Sequence, residues 1–141
     1  MNQDLRIMNK NKGNHTAKIR TFTDLKVWQE GHKLVILIYK ITKSFPKKET
    51  YSLIDQMRRS ATSVTSNLAE GFGRRSYKEK VQFYYLSQGS LSELKNQLLI
   101  AKDVGYIKDS NYRKLKEQSD ITHQLLQGLL TKSKSFINRK S

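Results

Sequence analysis

No cysteine occurs among the 141 residues. That excludes a disulfide framework, thiolate zinc sites and cysteine-dependent catalysis. A single proline and seven glycines leave little turn material for a many-stranded sandwich or barrel, and collagen-like and proline-rich classes are excluded with them. The longest uninterrupted apolar run, Leu34 to Tyr39, falls far short of the ~18–20 residues that span a bilayer. The polar opening Met1-Asn2-Gln3-Asp4 lacks the apolar stretch of a secretory signal. These absences predict a soluble, cytoplasmic protein with no membrane partner. Apolar residues are themselves sparse, at 36% against the ~45–50% of globular chains. Leu, Ile, Val and Phe still number 36, about a quarter of the chain and above the ~20% level of disorder. The length fits one domain.

Acidic residues are also scarce: 12 face 27 basic ones, for a net charge of +15. Such a balance points to polyanionic partners, RNA or DNA among them. Residues 1–22 carry five bases and one acid, and residues 131–141 carry four bases and no acid. Roughly half of the excess therefore lies at the two ends. Residues 1–22 show no hydrophobic period and are expected to form a flexible basic arm, with 23–134 as the folded domain and 135–141 as a basic tail.

Four helical segments follow the arm. In the first, about 24–44, Trp28, His32, Val35 and Tyr39 make one stripe and Leu34, Ile38, Ile41 and Phe45 a second beside it; Pro46 ends the segment. A helix apolar on two faces must be covered on two faces, one by the bundle and one by a partner chain. In the second, about 51–70, Ile54, Met57, Ala61, Val64 and Leu68 step 3-4-3-4, and Gly71 and Gly73 are expected to stop the helix by adopting left-handed backbone. The third opens with the capping box Ser76-Tyr77-Lys78-Glu79 and runs to Gly105. The fourth starts at Asp109 or Ser110 as N-cap and places Tyr112, Leu115, Ser119, Thr122, Leu126 and Leu129 on one face. Short connections favour antiparallel neighbours. The fold class expected is all-α, an antiparallel up-down-up-down four-helix bundle.

The histidines, His15, His32 and His123, have no metal-binding spacing, and His32 is expected to be an interior, hydrogen-bonded residue. Helical nucleases place an Arg and a His about one or two turns apart on one helix; Arg113 lies ten positions before His123, which is weak support for that chemistry. Gly71-Phe72-Gly73 lacks the third glycine of a dinucleotide loop and the Lys-Ser/Thr of a phosphate loop. Asp55 with Arg59 and Glu70 with Arg74 have the i, i+4 order of helix ion pairs. No catalytic residue, metal or cofactor is expected. The basic cluster is Arg58 and Arg59, then Arg74, Arg75, Lys78 and Lys80, with Tyr77, Tyr84 and Tyr85 nearby. Guanidinium groups pair bidentately with phosphate and tyrosine rings stack on unpaired bases, so these six are the expected nucleic-acid-binding residues. Arg58 and Arg59 have a further role open to them, as inter-subunit ion-pair partners of Asp55 or Glu70.

Three segments, Asp24-Leu25-Lys26-Val27-Trp28-Gln29, Asp55-Gln56-Met57-Arg58-Arg59-Ser60 and Ser66-Asn67-Leu68-Ala69-Glu70-Gly71-Phe72-Gly73-Arg74, resemble the 23S rRNA intervening-sequence protein family. The resemblance covers residues 23–134. It implies a four-helix bundle, ring-like homopentamers and an association with ribosomal RNA. A related branch, the accessory variability determinant of diversity-generating retroelements, implies binding to nucleic acid and to a reverse transcriptase. The chain departs from many members at Thr65, where they carry a proline within the second helix; threonine permits a straighter helix. The expected function is therefore a non-enzymatic, oligomeric RNA-binding bundle associated with 23S rRNA or its intervening sequence. A protein–protein adaptor, such as a reverse-transcriptase accessory subunit with secondary nucleic-acid binding, is the alternative, and a nuclease comes third.

Overall fold

The computed structural model describes residues 18–140, the last three by backbone alone. The stretch 1–17 of the expected arm, with His15, lies outside the described residues, as does Ser141. A 3-10 turn, Phe22–Asp24, leads into helix α1, Lys26–Thr42. A second 3-10 turn, Lys47–Glu49, precedes α2, Leu53–Phe72. Helices α3, Tyr77–Asp103, and α4, Asp109–Lys140, complete the chain. The described residues form no strand, as the periodicities predict.

Pairings across the helices fix their directions. Ser60 donates to Glu93 at 2.6 Å, Ser63 meets Ser90 at 2.8 Å, and Ser87 donates to the Val64 carbonyl at 2.7 Å, so numbers rise on α2 as they fall on α3. Likewise Lys102 lies over the Tyr112 ring, Lys95 meets His123, and Lys134 meets Tyr85, which sets α3 antiparallel to α4. Helix α1 packs on α2 and α4, and α3 packs on the same two, so α1 and α3 occupy opposite corners. Leu34, Ile38, Met57, Val64, Leu68, Leu91, Leu94, Leu98 and Leu126 fill the interior. These come from one stripe per helix, which is how an amphipathic segment gains its stability in a bundle. Glu30 is buried where α1 meets α4. Burial alone would raise its carboxyl, but hydrogen bonds from Lys33 at 2.9 Å and Gln118 at 3.1 Å outweigh this and hold it below its usual range.

Two expectations about α1 and α2 are corrected. His32 is exposed and stacks on Trp28, centroids 4.8 Å apart and planes 12° from parallel; the Leu34 and Ile38 side of α1 faces the core, Trp28 packs half-buried against its edge, and His32 lies outside it. Gly71 and Gly73 do not end α2 by left-handed backbone, because neither has positive φ; Gly105, at φ 90°, is the one described residue that does. Gly71 is instead a buried helical position where α3 comes close: a Cβ there would lie 2.6 Å from Tyr84 Cε1 and 3.0 Å from Phe83 Cβ. The helix continues to Phe72. Thr65 sits within the unbroken α2, buried, with its hydroxyl donating to the Thr62 carbonyl at 3.1 Å. The Ser76 cap is present: its Oγ accepts from the Glu79 amide at 3.2 Å and donates to the Glu79 carboxylate at 3.1 Å.

Candidate nucleic-acid interface

The six expected contact residues fall into two places. Arg74, Arg75, Lys78 and Lys80 gather at the α2–α3 turn, at the end of the bundle that also holds the 3-10 turn Phe22–Asp24 and the last turns of α4. Arg58 lies fourteen residues before Phe72, about 21 Å further along the helix, with Arg59 beside it.

The six differ in how far they are committed within the chain. Arg58 folds back on α1: its guanidinium lies 4.6 Å over the Tyr39 ring, its Nε donates to Thr42 Oγ1 at 3.0 Å and an Nη donates to the Tyr39 carbonyl at 3.4 Å. That is a brace between α2 and the end of α1. Arg59 pairs with Asp55 at 3.0 Å, the helix pair the spacing predicts. Lys80 caps α2, its Nζ donating to the Phe72 carbonyl at 2.6 Å and the Gly71 carbonyl at 3.4 Å. It satisfies carbonyls that a helix terminus leaves unpaired, and burial there lowers its ammonium below the usual lysine range. Arg74 is shared, pairing with Glu70 at 3.2 Å and lying 4.5 Å over the Phe83 ring. Arg75 and Lys78 are exposed and make no hydrogen bond, ion pair or ring contact within the described chain.

Helix α4 adds a cation to this end. Lys134 Nζ donates to Tyr85 Oη at 2.8 Å and sits 5.5 Å over that ring, and Phe136 packs on Tyr77 at 4.8 Å. Tyr85 is 45% exposed. The sequence reading ended the domain at 134, whereas α4 runs on to Lys140. The spacing of Leu126, Leu130, Ser133 and Ile137, 4-3-4, carries the signal for that continuation: the first three are buried and Ile137 packs against the core. Tyr84, by contrast, is a core residue, 2% exposed, and burial pushes its hydroxyl up to about 12.

Away from this end, His123 Nδ1 accepts from Lys95 Nζ at 2.9 Å, Lys95 reaches Asp120 at 3.1 Å, and Lys116 reaches Asp120 at 2.8 Å. Burial and the neighbouring Lys95 push the His123 imidazole below its usual value. The described residues hold no group of three or more His, Asp or Glu that could bind a metal ion. No described helix is long and apolar enough to cross a membrane.

Four helices around one apolar core, with exposed cations at both ends, define a basic helical-bundle protein. The model of the 23S rRNA-intervening sequence protein family matches residues 23–128. The chain belongs to that family. Among curated proteins none matches it. A solved structure of similar fold is a protein of unknown function from the S23 ribosomal protein family of Bacteroides thetaiotaomicron VPI-5482. It superposes with a TM-score of 0.69 over 74% of this chain and 95% of its own, at 18% identity.

Proposed function

We propose that the protein is a non-enzymatic, self-associating RNA-binding bundle that acts in the cytoplasm on 23S rRNA or its intervening sequence. The observation that carries this reading is the turn at Arg74–Lys78. Arg75 and Lys78 have no partner within the described chain, Arg74 is only half engaged, and Lys134 stands on the neighbouring helix beside an exposed tyrosine. Cations so placed neutralise phosphates, while Tyr85 offers a ring for an unpaired base. The family's tie to rRNA gives the polyanion an identity. Phosphate contacts of this kind supply affinity and position rather than sequence discrimination. Self-association is supported by the exposed apolar residues of α1, Ile36 at 42% and Tyr39 at 40%.

The test is fluorescence anisotropy on labelled single-stranded rRNA fragments across a salt series. About four contacts, Arg74, Arg75, Lys78 and Lys134, give a log–log slope of roughly −3 for single strands. R74E/R75E should weaken binding by ten-fold or more and flatten the slope, with helix content unchanged. R58Q should leave the slope unchanged. An R74E/R75E protein that binds as the parent does overturns the reading, as does RNA cleavage by the pure protein that H123A abolishes.

A further inference from the structure

The end of the bundle away from the α2–α3 turn carries a second group of cations. The connection from α1 to α2 and the turn from α3 to α4 meet there. Phe45 and Tyr106 pack with ring centroids 5.3 Å apart, and Tyr106 Oη donates to Glu49 at 2.7 Å, across fifty-seven residues of sequence. These contacts hold two basic segments together. Residues 40–48 contain Lys40, Lys43, Lys47 and Lys48 and no acid, and residues 108–114 contain Lys108, Arg113 and Lys114 with one acid, Asp109. All seven cations are exposed, and none makes a side-chain hydrogen bond, ion pair or ring contact within the described chain. Of the acids nearby, Glu49 is taken up by Tyr106 and by Ser52, which donates to it at 2.6 Å, and Asp55 pairs with Arg59. Asp103 and Asp109 are the exposed acids of the α3–α4 turn.

Folding does not account for this group. Lys40 and Lys43 stand at the C-terminal end of α1, where the helix dipole favours a cation, but Lys108 directly precedes α4, at the end where it does not. Like charges gathered on two clamped segments repel one another, and a polyanion lying over them removes that repulsion. The chemistry differs from that of the α2–α3 turn. Six of the seven cations are lysines, whose ammonium groups act as point charges without the planar fork of arginine. Most rings at this end are used within the chain, Phe45 and Tyr106 against each other and Tyr112 beneath Lys102 at 4.9 Å. Tyr51 is the exception, 95% exposed, with a hydroxyl able to donate to a phosphate or to a ribose 2′-OH. The surface thus offers charge spread over two segments and a single ring, too few rings to hold a run of unpaired bases. It suits an RNA double helix, which presents phosphates on two strands and is recognised by its shape and backbone rather than by its base edges.

We infer that this end is a second RNA site, which takes double-stranded RNA by its phosphates while the α2–α3 turn takes an unpaired strand. The two sites are separate, because α3 from Tyr77 to Asp103 sets them about 39 Å apart. The inference rests on the RNA-binding reading above for its polyanion and adds the duplex and its place on the bundle. Fluorescence anisotropy tests it with a labelled RNA duplex of about one helical turn, beside the labelled single strands, on the parent, K47E/K48E/K108E and R74E/R75E. Circular dichroism checks each variant for unchanged helix content. K47E/K48E/K108E should weaken duplex binding by ten-fold or more, flatten its log–log salt slope by roughly 2–3 and leave single-strand binding intact. R74E/R75E should do the reverse. The parent should keep its labelled single strand while unlabelled duplex saturates the other end. A K47E/K48E/K108E protein that holds the duplex as the parent does overturns the second site and leaves the proposed function standing. Duplex that displaces the single strand from the parent also overturns it, because one surface then serves both. A parent that binds duplex through these lysines but no single strand overturns the role proposed for the α2–α3 turn and leaves this site standing.

Discussion

The α2–α3 turn and the middle of α3 are neighbours in sequence and opposites in chemistry. The turn, Gly73 to Lys80, places four cations and one acid in eight residues, whereas the twenty-one residues from Val81 to Ala101 hold one cation and one acid. Both regions are well anchored beneath: the turn by the Lys80 cap and the Gly71–Tyr84 contact, the helix by Leu91, Leu94 and Leu98. The difference therefore lies in what each presents outward. A high net charge is not spread as a uniform coat; it gathers at turns such as this one and is withheld from a helix face. The turn is suited to phosphate and the face to another protein surface.

The largest expected effect comes from breaking what the two regions share. Leu94 is fully buried on the inward side of α3, and Leu94→Ala should lower stability by about 2–5 kcal/mol, read as a shift in the urea midpoint. Leu86→Ala, one helix side away and exposed, should move it by less than about 0.5 kcal/mol. Equal shifts would mean that the inward and outward sides of α3 had been misassigned.

The next effect belongs to the turn alone. Gly71→Ala forces a methyl against the Tyr84 ring and Phe83, and overpacking of this kind lowers stability by about 1–3 kcal/mol. Because Gly71 also supplies a carbonyl to Lys80, RNA affinity should fall with it. A variant as stable as the parent would show that the helices separate there at little expense.

Gly89→Ala acts on the face alone and in the opposite direction. With open space at the Cβ position, alanine should raise stability by about 0.5–1 kcal/mol, measured by thermal melting at a concentration where the protein is monomeric. A fall in stability would place a close contact where the chain has none.

The smallest effect falls outside both regions. His123 is held below its usual value by burial first and Lys95 second, so the folded state favours the neutral imidazole. As pH drops through the unfolded value near 6.5, the unfolded chain takes up the proton first. Stability is therefore full above that pH and declines below it, down to the folded value. His123→Gln should flatten the decline between pH 7 and pH 5 in a series of melting curves. A decline of equal steepness would assign it to other groups, such as Glu30, whose depressed value places its own loss at lower pH.

What the sequence determined by itself is the set of helices and the inward stripe of each. The 3-4 spacing of Ile54, Met57, Ala61, Val64 and Leu68, the Ser76 cap and the two i, i+4 ion pairs are local, and local spacing survives whatever the rest of the chain does. The α2–α3 cationic turn was legible for the same reason, because adjacent residues stay adjacent. What only the tertiary structure decided was how those side chains were spent. Arg58 and Lys80 read as surface cations, yet the first braces Tyr39 and Thr42 on α1 and the second caps α2. His32 read as interior and is exposed. Lys134 read as the edge of a tail and stands beside Tyr85, forty-nine residues away in sequence. Each depends on which helix lies alongside, and a helix with two apolar stripes does not say which one the core will take. Burial follows from the partners that three other helices bring, and those partners exist only once the bundle has closed.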